Sequence, residues 1–339
     1  MGTIELLDQP FTQSKRGPYS YEKNEDGFAA VYESGKLVLF AVIDGAAVKP
    51  MGDGAKAVEF PNGWSAGRFA METTKEALKQ FVKLSNWRMQ ALEPFLATRL
   101  YEANWEAGVY GNGCLANTPT ASAVILLDTG VIHRFGDCRV MVDGELYPSG
   151  KRYDGLTVGI RCAVTNLTEN ANMPFLPKDD DFGRQVISDL LRMQSGFSNV
   201  YFGKGQPLPE WSDEFIGILN QISPKMLPEK VLNLLKSKDY VTLFNLLAHD
   251  VLNGTPIPPQ LLQQPILLGR GKHKIIMTSD GFEPPFIFPN IEESIQNQHH
   301  YDVKVDPNRL GEHKATSAVQ KGWSTRDDCT HSGVVEIIV

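Results

Sequence analysis

KLVLFAVIDGAA, residues 36–47, decides the fold. Leu37 through Ile43 are apolar without a break, which reads as a buried strand. The run ends in Asp44-Gly45, so a carboxylate emerges at the strand's end. Asp-Gly after a strand is first of all a turn signal, because glycine supplies the positive φ of a tight hairpin. Asp143-Gly144 in MVDGELY, between two short alternating runs, is read as such a turn and nothing more. Whether Asp44 is also only a turn residue, or is placed to hold something, depends on its company elsewhere in the chain.

That company is acidic. HKIIMTSDG repeats the design, an apolar strand ending in Asp280-Gly281. STRDDCTHSGVVEIIV sets Asp327 and Asp328 just before the final strand, and EKNEDGF sets Glu25 and Asp26 just before the first one. Strands that share one rim bring these carboxylates together. Two like charges ~4 Å apart repel by about 4 kcal/mol at an effective dielectric near 20. No cluster of Lys or Arg adjoins these motifs in the sequence. A hard divalent cation offsets the repulsion, and carboxylate, backbone carbonyl and water are the ligands that suit magnesium and manganese.

Around these motifs the chain alternates strands and helices. GFAAVYESGKLVLFAVID reads as two strands about a Ser34-Gly35 turn. Phe69, Thr73, Leu78, Phe81 and Val82 recur at helical spacing after Ser65. LEPFLATRLYEANWEAG reads as a second helix, with Pro94 in its first turn and Gly108 at its stop. Residues 120–147 read as three or four strands. A helical segment at about 183–265, rich in proline, carries Trp211, Phe215, Leu219 and Ile222 at helical spacing. A further helical pattern runs from Asp239 to Asn253. Strands return after it, the pattern of a layered α/β or α+β domain.

Composition excludes several classes. The chain has 339 residues, 42% of them hydrophobic, and a net charge of −7. An acidic chain without a basic run is no match for a nucleic-acid partner. No apolar stretch approaches the ~20 residues of a membrane helix. Cys114, Cys138, Cys162 and Cys329 form no C-x-x-C pair, so neither a zinc ribbon nor a thioredoxin motif is indicated, and free thiols in a reducing, cytoplasmic compartment are expected. His299, His300, His313 and His331 are read as surface or loop histidines. GRGKHK, residues 269–274, is read as a solvated turn leading into a strand, since it lacks the spacing of a phosphate loop. Cys138 and Cys329 are read as packing residues.

Five short motifs, in order, resemble the metal-dependent protein phosphatases of the protein phosphatase 2C type. NEDGF resembles the family's first acidic motif and FAVIDGAA its Asp-Gly motif. RFGDCRVMV is similar to its Gly-Asp-Ser-Arg strand, with Cys138 for Ser. IIMTSDGF and RDDCTHSGVVEI are similar to the Ser-Asp-Gly and Asp-Asn-x-Thr motifs that close the domain. The resemblance implies an α+β fold, a four-layer αββα sandwich with two central antiparallel sheets. It implies one phosphatase-like domain over 1–339, with a flap-like helical insertion at about 183–265. It also implies a site of two Mg²⁺ or Mn²⁺ ions. By motif match Asp44 bridges both ions, Gly45 contributes its carbonyl, Asp280 and Asp327 hold the second ion, and Asp137 matches a residue linked to a third. Glu25 and Asp26 orient waters on the metals. The reaction implied is hydrolysis of phosphoserine and phosphothreonine in a protein partner by an activated water.

The substrate-facing positions depart from the family. Tyr21 stands where an Arg usually grips phosphate, and Arg16, Lys15 or Lys23 is left as a substitute. Ala46-Ala47-Val48 replaces the usual residues after Asp-Gly, and Asp328 replaces Asn. Two other functions therefore stand beside a protein phosphatase. One is a catalytically weak or inactive regulatory module, favoured by Tyr21 and Ala46. The other is a phosphohydrolase of small metabolites.

Overall fold

The computed structural model describes residues 2–16, 24–46, 59–109, 118–150, 154–167, 181–187 and 247–339, with isolated positions between 175 and 242. Tyr21, Lys23, Ala47, Val48, Cys114 and the helical pattern of Trp211 to Ile222 lie outside them. The chain divides into two compact units. One comprises residues 1–150, 250–298 and 327–339, and the other 151–249 and 299–326.

Among the described residues the first unit holds twelve strands. They are β1 (Thr3–Leu6), β2 (Phe11–Gln13), β3 (Asp26–Glu33), β4 (Lys36–Ala46), β5 (Thr120–Leu127), β6 (Val131–Phe135), β7 (Arg139–Val142), β8 (Glu145–Tyr147), β9 (Ile266–Leu267), β10 (Lys272–Thr278), β11 (Cys329–His331) and β12 (Val335–Ile338). Strands β3-β4-β5-β6-β9 form one sheet. The order β1-β12-β10-β11-β2, with β7 and β8 beside β10, forms the other, and every pairing is antiparallel.

The unbroken apolar run of β4 follows from its place between layers, because successive side chains of a strand point to opposite faces. Phe40 and Val42 pack with Val124 and Leu126 of β5 and with Ile275, Met277, Val335 and Ile337 of the facing sheet. Leu39, Ala41 and Ile43 face the other way, into helices α1 (Ala66–Val82) and α2 (Leu92–Glu106), which contribute Met71, Leu78, Phe81, Leu96 and Leu100. On the far side Ile295, from α5 (Ile291–His300), covers Ile276, Phe282 and Cys329. Helices, sheet, sheet, helix make the αββα sandwich.

The hairpin readings hold. Asp143 and Gly144 have φ of 51° and 87°, and Ser34 and Gly35 have 51° and 78°, the paired positive values of a tight turn. GRGKHK runs from a turn into β10. Residues 120–147 give four strands. Pro94 sits in the first turn of α2, and Gly108 follows its end with φ of 75°. One reading is corrected. His331 lies in β11 and is fully buried, not on the surface, because its ring nitrogens serve the backbone there: Nε2 lies 3.2 Å from the Phe288 carbonyl, and Nδ1 accepts the Gly333 N–H. Burial pulls its pKa down to about 4. Cys138 and Cys329 are buried, as packing residues are.

The second unit includes α3 (Asp154–Leu167) and α4 (Phe182–Val186). Arg161 of α3 is wholly buried. Its guanidinium pairs with Asp181 at 2.9 Å and donates to the carbonyls of Asn308 and Ala315. A second buried pair, Arg309 with Asp302 at 2.8 Å, lies in the same unit. The chain returns to the first unit at residue 250. Leu252 bridges Ala121 beside β4, and Leu252 and Ile257 belong to the core under α1 and α2. Among the described residues no helix is long and apolar enough to cross a membrane.

Candidate metal centre

Asp44-Gly45 is not a turn. Both residues lie inside β4, paired with β3 on one side and β5 on the other. Asp44 has the parity of Phe40 and Val42, so it continues the inner face of its sheet beyond the apolar core. Asp26 stands directly opposite it in register, and Ser122 of β5 faces it from the other side. Directly opposed residues of an antiparallel pair have Cβ atoms about 4.5–5.5 Å apart, where like charges destabilise. The facing sheet adds Asp280, immediately past β10, whose N–H points at Asp44 Oδ2 from 3.5 Å.

Burial pushes the carboxyl of Asp26 well up from its ordinary range, with Asp328, Asp327 and Asp280 adding to the effect. Burial does the same to Asp44, reinforced by Asp26, Asp280, Asp137 and Asp327. Six carboxylates thus share one field. Asp137, in the turn between β6 and β7, is held by the Ser122 hydroxyl at 2.6 Å. That turn is fixed in its own right: Gly136 has φ of 75° and donates its N–H to the buried Asp250 carboxylate. Glu25 accepts the Ser65 hydroxyl, and burial raises its pKa against the opposing pull of Lys15.

Gly45 is there for close approach. A Cβ on it would stand 2.1 Å from the Gly67 carbonyl oxygen, while its N–H bonds the Glu25 carbonyl at 3.1 Å. The missing side chain lets β4 press against the first turn of α1, where Ser65 caps the helix by accepting the Arg68 N–H.

The sequence reading found no cluster of Lys or Arg beside the acidic motifs, and the structure places two single cations there. Lys15 Nζ lies 3.1 Å from Asp327 Oδ1. Arg139 donates to the carbonyls of Asp280 and Phe282 and lies 3.6 Å from Glu283. Lys15 was concealed because strand pairing brings it in. The register Gln13↔Cys329 of β2 and β11, carried two residues further, sets Lys15 against Asp327. Arg139 was in plain view in RFGDCRVMV, but nothing in a single sequence shows where its guanidinium turns. Asp328 also does more than its motif suggested. Its carboxylate accepts the N–H groups of Lys15 at 2.8 Å and Glu25 at 2.7 Å, tying both N-terminal segments to the end of the chain. Of the phosphate-binding candidates, Arg16 is exposed with its N–H on Ser14 Oγ; Tyr21 and Lys23 lie outside the described residues.

The donor set fits a hard divalent cation. The rim's carboxylates and the Ser122 hydroxyl offer oxygen, and Asp26 Oδ2 is buried without a hydrogen-bond partner. Among the described residues, however, no three acidic, histidine or cysteine side chains make a ready-made coordination group.

No family model and no curated protein matches the chain. Among solved structures it is similar to RsbX in complex with magnesium, at 10% identity over 100% of both chains with a TM-score of 0.38. It is also similar to the S. agalactiae serine/threonine phosphatase, at 14% identity over 100% of both chains with a TM-score of 0.40. A third is the photosystem II phosphatase PBCP, at 13% identity over 100% of this chain and 99% of that one, with a TM-score of 0.36. Identities of this size carry no residue's role across.

Proposed function

We propose that the chain hydrolyses phosphate monoesters at this acidic rim, and that phosphoserine and phosphothreonine of proteins are its substrates. The observation that carries the reading is the opposition of Asp26 and Asp44 across the β3–β4 ladder, with one Asp26 oxygen buried and unpartnered. A fold has no reason to face two carboxylates unless something positive comes between them. Asp44, Asp280, Asp327 and the Gly45 carbonyl are the ligands proposed for two Mg²⁺ or Mn²⁺ ions, with Asp137 beside a third. Bound there, such ions supply a water acidic enough to attack phosphorus and stabilise the in-line displacement.

The chain's own residues do the rest. Asp26 and Glu25 orient the attacking water through their carboxylates, and Ser65 keeps Glu25 turned to the rim. Ser122 fixes Asp137. Asp328 keeps Lys15 and Glu25 in place through their backbone N–H groups. Arg139, bound to the Asp280 and Phe282 carbonyls, braces the loop after β10. The phosphate itself lacks the bidentate guanidinium that the resemblance leads one to expect at Tyr21. A phenol gives one neutral hydrogen bond where Arg gives two charge-assisted ones, so ground-state binding of simple esters is expected to be about 10- to 100-fold weak.

The test is the initial rate on a phosphothreonine peptide, a phosphotyrosine peptide, small sugar phosphates and an aryl phosphate, each with Mn²⁺ and with chelator. Faster turnover of the phosphothreonine peptide, only with metal, supports the reading. Preference for the sugar phosphates would make the chain a metabolite phosphohydrolase. No turnover of any ester would make it a binding module.

A further inference from the structure

Lys15 has a place in this centre that its motif does not explain. Its ammonium lies 3.1 Å from Oδ1 of Asp327, one of the carboxylates proposed as a metal ligand. That same oxygen also accepts the Asp328 N–H at 3.0 Å, so it is engaged twice over. The Lys15 main chain is anchored separately, by its N–H on Asp328 Oδ1 at 2.8 Å. The side chain can therefore leave Asp327 without the segment detaching. Glu25 and Asp328 stand close enough to add to the pull on the ammonium. A lysine ammonium is a point charge on a flexible four-carbon stem, suited to moving aside where a rigid guanidinium is not. An oxygen held by an ammonium is also not free to ligate, which fits the absence of a ready-made coordination group among the described residues.

We propose that Lys15 is a built-in counter-ion: it holds Asp327 while the centre lacks a divalent ion and yields that carboxylate when the ion binds. This rests on the reading of the rim as a metal centre. The lysine then sets the ion concentration at which that position fills, since the ion that takes Asp327 must displace a cation already resident.

Calorimetric titration of Mn²⁺ into chelator-stripped protein at neutral pH tests this on the wild type, Lys15→Gln and Lys15→Arg, each checked for fold by circular dichroism. All three keep the backbone N–H that Asp328 holds. Lys15→Gln is expected to bind Mn²⁺ about tenfold more tightly and to melt lower in chelator. Lys15→Arg, which keeps the charge on a more rigid group, is expected to bind Mn²⁺ no more tightly than the wild type. Lys15→Met serves in place of Lys15→Gln if the latter does not fold. An unchanged or weaker affinity in the charge-free variant overturns the role of Lys15 and leaves the metal centre standing. No saturable binding to any of the proteins removes the metal centre and the counter-ion together.

Discussion

Among the described residues Asp26 and Asp44 face each other with no side-chain cation paired to either, and this sets how the metal-free protein responds to pH. Their carboxyls titrate above the ordinary 3.8, so the folded chain binds protons more tightly than the unfolded one. The stability this gives is complete below that value and is lost as pH rises through the raised one. Asp44→Asn removes one of the two charges. Its gain in melting temperature over the wild type, in chelator, should grow as pH is raised from about 4. Reading the difference between the two proteins cancels His331, which is buried neutral and acts in the opposite sense as pH falls from 6.5 to about 4. A gain that is flat with pH would mean that the pair carries no mutual charge. Asp280→Asn should raise metal-free stability in the same way. Asp327→Asn should not, because it takes from Lys15 its 3.1 Å partner.

At the scale of elements, the site depends on how closely β4 and α1 approach. A methyl on Gly45 meets the backbone oxygen of Gly67 at 2.1 Å, which neither partner can relieve by turning a side chain. Gly45→Ala is therefore expected to cost about 1–3 kcal/mol in chemical denaturation, the range for overpacking. Gly269→Ala, with nothing within 4 Å, should change little. Equal effects of the two would contradict the packing. Ser65→Ala loses the N-cap of α1, at about 1 kcal/mol. It also frees Glu25 from its hydroxyl partner, so kcat should fall by more than a change of stability alone would produce.

Much of this was legible in the chain. The unbroken run of β4, the helical spacing after Ser65, and the hairpins at Ser34-Gly35 and Asp143-Gly144 are local patterns, and local patterns survive folding. The acidic residues could be placed at strand ends because apolar runs stop where they begin. What could not be read was pairing. Gln13 opposite Cys329, and hence Lys15 beside Asp327, is a contact between the two ends of the chain. His331 looked like a loop residue because a buried imidazole satisfied by main-chain groups has no signature in sequence. Gly45 looked like a turn for the same reason that it is not one: glycine serves both positive φ and close approach, and only its neighbours decide.

For the whole molecule, two sheets that pack through Val42, Val124, Met277 and Val335 bring the ends of β3, β4, β10 and β11 into one charged rim. The apolar core between the layers includes none of the rim carboxylates. The carboxylates can therefore be altered without unfolding the chain, which makes the central claim directly testable. The measurement is hydrolysis of an aryl phosphate by the wild type and by Asp44→Ala, in Mn²⁺ and in excess chelator, with circular dichroism on both. The expected result is turnover by the wild type in Mn²⁺ alone, and loss of at least about a hundredfold in a folded Asp44→Ala, equivalent to about 2.7 kcal/mol of barrier. Full activity in chelator, or an Asp44→Ala enzyme as fast as the wild type, would contradict it.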